Sequence, residues 1–178
     1  MSTSDDRPTH VRWVVGTLLA AAAAIAYLDR VIISNVVKEL QDEVGITPYQ
    51  AGWVLASFVI GYGLMQVPMG RLGDLRGARF LLPAIVVLWS AMTGLTTFAA
   101  TFGLLCAVRF AFGLVQAGVF PLTVPVMRRW FPVEKRGTAQ GLVISSTRVG
   151  AILAMLAAPV IAWLGWKTTF MVCGGVGI

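Results

Sequence analysis

The chain has 178 residues, of which 57% are hydrophobic and only 12% charged, with a formal net charge of +6. That composition excludes a disordered tail and an ordinary water-soluble domain, because the apolar residues fall in runs too long for a soluble core to absorb. Its two cysteines, Cys106 and Cys173, lie inside apolar runs, and the single histidine, His10, lies in a hydrophilic leader, so neither a disulfide framework nor a metal set nor a hydrolytic constellation can be assembled. No cofactor, no metal and no enzymatic activity are expected.

A bilayer core of about 30 Å takes roughly 20 apolar residues per helix. After a cytoplasmic leader over 1–12, such runs occupy Trp13–Val37, Tyr49–Met69, Phe80–Ala99, Thr101–Met127 and Gly137–Leu164, and a partial sixth opens at Trp166 and reaches Ile178. The fold class is therefore all-α and integral to a membrane, with a transmembrane bundle over 13–178 expected to stop within its sixth helix. The first run is not read as a cleaved signal, because Asp5 and Asp6 accompany the bases of the leader and the apolar pattern resumes after Arg30. Loops are short, which suggests that consecutive helices are antiparallel neighbours. Gly113 with Ala117, and Gly61 with Gly63, are small residues at spacings suited to close helix packing.

Orientation follows from the bases. With a cytoplasmic N-terminus, the inner segments hold Arg7, Arg12, Arg71, Arg76, Arg79, Arg128, Arg129, Lys135 and Arg136, whereas the outer loops hold only Lys38 and Lys167. The positive charge is thus a topological anchor facing lipid headgroups, and no nucleic-acid partner is implied. Trp13, Trp130, Trp163 and Trp166 fall at span ends, where amphipathic rings collect.

Arg30, Arg109 and Arg148 interrupt the spans, and Asp29 is the only acid that shares the bilayer with them. Ionised groups at that depth cost several kcal/mol unless they face protein or water, so they mark a substrate or ion path. A surplus of buried cations calls for an anion, and guanidinium forks two hydrogen bonds onto a carboxylate. Arg30 and Arg109 lie about 10 to 12 Å below the outer boundary, counting 1.5 Å per residue, and Arg148 lies nearer the midplane beside Thr147. Structural ion pairs are the alternative for each. Adjacent Asp29 and Arg30 point about 100° apart on a helix and are poorly placed to neutralise each other.

Two cytoplasmic loops and three helices carry a family resemblance. Gly70-Arg71-Leu72-Gly73-Asp74-Leu75-Arg76-Gly77-Ala78-Arg79 resembles the signature loop of the major facilitator superfamily, with Gly70, Asp74, Gly77 and Arg79 in register but Leu75 where a base usually follows the aspartate. Tyr27-Leu28-Asp29-Arg30, Tyr62 with Gln66 before Pro68, Arg109 through Gly118, and Arg128 through Gly141 resemble the anion:cation symporter branch of that superfamily.

The resemblance implies the N-terminal six-helix bundle of a twelve-helix alternating-access transporter, located in a cell membrane as a multi-pass protein, with a missing C-terminal half as its partner. The implied cargo is a small organic anion such as a carboxylate or sugar acid, moved with H+. Substrate contacts would come from Arg30, Arg109, Tyr27, Tyr62 and Gln116, with Thr147 and Arg148 added on their depth rather than on the family motif, and the signature loop would serve conformational switching. Many members carry a proton-coupling glutamate where this chain has Gln116, and an amide cannot hold that proton. Asp29 is then the candidate proton carrier. A major facilitator drug or metabolite exporter is the alternative, as is a non-transport membrane protein. If the orientation is right, reporter fusions at Arg76 and Lys135 report from the cytoplasm and one at Asp42 reports from outside; the reverse pattern refutes it.

Overall fold

A computed structural model describes residues 9–176. The helices are α1 (Thr9–Asn35), α2 (Val37–Val44), α3 (Pro48–Arg76), α4 (Ala78–Leu95), α5 (Phe102–Gln116), α6 (Val119–Trp130), α7 (Val133–Leu156), α8 (Ala158–Leu164) and α9 (Trp166–Val176), and no strand occurs among the described residues. Five candidate spans are long and apolar enough to cross a bilayer, with α5 and α6 together making the fourth. The first helix starts at Thr9, inside the expected leader, whose first eight residues lie outside the described part.

Prolines divide two of the expected spans. Pro121 has no N–H to return to Ala117, and the fourth span breaks at Ala117 and Gly118. Pro159 stands at the start of α8, after the break at Ala157 in the fifth span. The outer segment 38–48, expected as a loop, instead holds α2. That helix buries Leu40, and Gly45 ends it in the left-handed region at φ +72° with its N–H donating to the Gln41 carbonyl. Val37, Leu40 and Val44 recur at helical spacing and all pack into one core cluster. The second span then starts at a capping box: Thr47 Oγ1 accepts from the Gln50 N–H at 3.3 Å, and Gln50 Oε1 accepts from the Thr47 N–H at 2.9 Å.

Consecutive spans are not the principal neighbours. The closest pairings join α1 to α7, α3 to α5, and α4 to α9. Hydrocarbon offers no hydrophobic drive between helices, so association depends on how closely backbones approach. A Cβ on Gly113 would stand 2.3 Å from the Phe58 carbonyl oxygen, one on Gly61 would stand 2.4 Å from that of Phe110, and one on Gly150 would meet the Ala24 carbonyl oxygen. The expected role of Gly61 and Gly113 is thus realised between spans two and four, whereas Gly63 is exposed and a Cβ added there would meet nothing within 4 Å.

At the end of the bundle that carries α2, the carboxylate of Glu43 accepts a 2.7 Å hydrogen bond from Trp166 Nε1 and forms an ion pair with Lys167. Trp166 is therefore packed against the bundle rather than set in a headgroup belt, while Trp163 is 84% exposed, as a belt residue would be. At the opposite end, Arg136 donates from Nε to the Phe131 carbonyl and from Nη2 to the Arg128 carbonyl, closing the end of α6.

Two outcomes follow from this packing. Gly113→Leu should destabilise the bundle by at least about 3 kcal/mol, since the new side chain meets backbone, whereas Gly63→Ala should stay within about 0.5 kcal/mol; denaturant titration in detergent compares them. The Lys167 hydrogen bond, followed by that from Trp166, holds the Glu43 carboxyl below its ordinary value of 4.5. A depressed folded value means the clasp is complete above pH 4.5 and is lost as pH falls through the lowered one. Trp166 fluorescence should change on that acid descent, and Glu43→Gln should remove the change.

Candidate functional site

The helical turn from Asp29 to Arg30 sends two opposite charges to two different places. Arg30 is half-buried, and its guanidinium carbon lies 4.5 Å from the ring centre of Phe58, 4.6 Å from Tyr62 and 5.2 Å from Tyr27. Phe58 and Tyr62 are one turn apart on α3, so the guanidinium lies across a continuous aromatic surface. Such contacts are worth about 0.5–1 kcal/mol each when exposed and about 2 when desolvated. They hold the head in place without using its N–H donors. Arg30 forms no salt bridge with any carboxylate of the described residues.

Asp29 turns the other way. It is 1% exposed, and neither carboxylate oxygen has a hydrogen-bond partner among the described residues. Arg109 on α5 is 2% exposed, its guanidinium lying 5.3 Å from the Phe112 ring centre and 5.4 Å from that of Phe170, with Nε and Nη2 unbonded. The Arg109 charge acts on Asp29 across the bundle, although no nitrogen and oxygen of the pair come within 4.0 Å. Both groups are enclosed between α1, α5 and α9. The structure therefore separates Arg30 from Arg109, which the sequence had placed together at one depth: Arg30 reaches the open side, and Arg109 stands behind it with the buried acid.

Gln116 is 3% exposed, and its amide Nε2 donates at 2.8 Å to the Ala26 carbonyl. This bond ties the fourth span to the first one turn from Arg30, so the amide is engaged in the scaffold. Sequence reasoning had no signal for that partner. Thr147 is likewise buried, its hydroxyl donating at 2.7 Å to the Ile144 carbonyl of its own helix. Arg148, next to it, is exposed and unpaired among the described residues. Tyr27 and Tyr62 stay half-exposed beside Arg30, and Gln66 is exposed one turn beyond Tyr62.

In the signature loop, Gly70 and Asp74 belong to the last turns of α3, and Gly77 makes the turn itself at φ +80°, its N–H donating at 2.9 Å to the Gly73 carbonyl. Asp74 sits at a helix end, exposed and without an ion pair among the described residues, and Arg79, also exposed, lies in the first turn of α4. Cys106 and Cys173 are free thiols that pack against the outer core cluster, and no group of potential metal ligands occurs among the described residues.

Comparison with known proteins places this arrangement. Over 97% of its length the chain superposes, with a TM-score of 0.89 and 24% identity, on 43% of a bacterial homologue of the human lysosomal transporter Spinster in an inward-facing, occupied conformation, which shows a shared fold. It is 36% identical over 155 residues to a probable sulfoacetate transporter of Cupriavidus necator, covering 86% of this chain and 36% of that relative. It is 29% identical over 187 residues to a probable galactarate/D-glucarate transporter of Escherichia coli, covering 99% of this chain and 41% of that one. The chain thus spans well under half the length of these relatives. Residues 19–178 match the family model of the Major Facilitator Superfamily, and the chain belongs to that family.

Proposed function

We propose that the chain is the N-terminal half of an alternating-access secondary transporter that carries a small organic anion, of the carboxylate or sugar-acid kind, together with a proton. The observation that carries this reading is Arg30: a half-exposed guanidinium at bilayer depth, fixed over three aromatic rings, with its donors facing no carboxylate of the described residues. A planar fork with free N–H groups suits a carboxylate. Relatives named as transporters of sulfoacetate, of galactarate and D-glucarate, and of L-galactonate support the same cargo class. Tyr27 and Tyr62 complete the anion contact, and the missing half supplies the opposite wall.

Asp29 is the proton carrier in this scheme, and Arg109 is its buried counter-charge. An anion arriving on Arg30 cancels positive field around Asp29 and favours a proton there, and its departure favours release. Gln116 keeps the first and fourth spans together and carries no proton. The loop built on Gly70, Asp74, Gly77 and Arg79 serves the inward–outward switch, and the basic inner segments set the N-terminus in the cytoplasm of a bacterial inner membrane. The exporter alternative fits less well, since the one acid at bilayer depth is enclosed with an arginine and unavailable to a cationic cargo.

Uptake by the full-length protein in proteoliposomes tests the scheme. Arg30→Lys should weaken apparent substrate affinity about tenfold or more, because charge survives and the fork does not. Asp29→Asn should abolish accumulation driven by a pH difference alone and leave substrate exchange measurable. Normal affinity in the lysine variant places the anion elsewhere, and continued uphill uptake by the asparagine variant removes Asp29 from coupling.

A further inference from the structure

The exposed surface of the bundle has two characters. Beyond the first turn of each, the described positions that α4 and α9 expose are apolar or glycine, among them Val87, Leu88, Met171 and Val172, as lipid requires. Polar side chains at mid-span depth that are open or half-open come from α1, α3 and α7: Tyr27, Arg30, Tyr62, Gln66, Ser145 and Arg148. An arginine exposed near the midplane is tolerated against protein or water and costs several kcal/mol against hydrocarbon. Arg148 therefore belongs to the side on which Arg30 opens.

The two arginines stand on neighbouring helices. A Cβ on Gly150 would collide with the Ala24 carbonyl oxygen, and Asn35 Nδ2 donates at 2.6 Å to the Ala154 carbonyl, so α7 and α1 are in close contact over the C-terminal part of both helices. Arg30 lies six residues outward of Ala24 on α1, and Arg148 lies two residues inward of Gly150 on α7, so Arg148 is the deeper of the two by roughly one to two helical turns. Neither has an acidic partner among the described residues, because Asp29 is enclosed on the other side of α1 with Arg109. The open side thus presents two uncompensated cations, separated in depth and carried by adjacent helices.

We infer that Arg148 is a second anion-binding point and that the preferred substrate is a dianion, with one acidic group on Arg30 and the other, a short carbon chain away, on Arg148. The inference rests on the reading of Arg30 as an anion contact. A monoanion satisfies one guanidinium and leaves the other charge uncompensated in a low-dielectric site. A dianion whose acidic groups are separated by a short chain compensates both. Arg148 is thereby a specificity determinant: its loss should cost the second anionic group and spare the first.

Binding to the purified full-length protein, measured by thermal shift and by isothermal titration, tests this with two matched pairs: D-glucarate against D-gluconate, and sulfoacetate against acetate. The wild type should bind the dianion of at least one pair ten times or more tighter than its monoanion. Arg148→Gln should reduce that ratio to within twofold while monoanion affinity stays within twofold of wild type, and Arg148→Lys should keep part of the preference. Retained monoanion binding also reports that the variant is folded. A wild type that binds monoanion and dianion equally overturns the inference. So does an Arg148→Gln variant that loses both ligands in proportion, which would mark Arg148 as the partner of an acid in the second half. A wild type that binds none of the four probes fails the anion reading itself.

Discussion

Three places where backbone touches backbone hold every charged group of the site. Gly113 and Gly61 let α5 and α3 meet at the level of Phe58 and Phe110, and Gly150 lets α7 meet α1 at Ala24. Phe58 is the ring nearest Arg30, Phe112 beside Gly113 is the ring nearest Arg109, and Ala24 lies little more than a turn from Asp29. A side chain inserted at any of these crossings separates helices by ångströms, and the aromatic surface under Arg30 moves with them. In a membrane, where lipid tails compete on equal terms with leucine, such contacts carry the energy that a hydrophobic core supplies in water.

On that scaffold the charges form two layers. Arg30 is outward, seated on faces of rings that attract a cation without occupying its donors. Asp29 and Arg109 are inward, too far apart to bridge directly and close enough for their charges to act on one another. A direct bridge would lock the pair, and full separation would leave two isolated buried ions at a cost of several kcal/mol each. The intermediate spacing leaves bonding capacity on both groups that a proton or a small shift of α1 against α5 can alter.

The spans and the divergence of Asp29 from Arg30 were legible in the sequence, because each depends on run length or the 100° helical step. Burial of Arg109 was not. Whether a side chain at a given depth faces the path or the interior depends on which helices pack beside it, and loop length misleads about neighbours when the first span pairs with the fifth and the second with the fourth. The same gap concealed the bond from Gln116 to Ala26 and the clasp from Glu43 to Trp166, since both join segments some 90 and 123 residues apart. The helix α2 and the capping box at Thr47 were readable from local spacing, and the loop-like polarity of 38–48 obscured them.

The Gln116 amide has a consequence for how the bundle responds to acid. A carboxylic acid at this position would donate to the Ala26 carbonyl only while protonated, and on losing its proton would set two oxygens against each other across the first and fourth spans. The amide donates at every pH at which the protein is folded. Those spans are therefore stapled by a contact with no titration of its own.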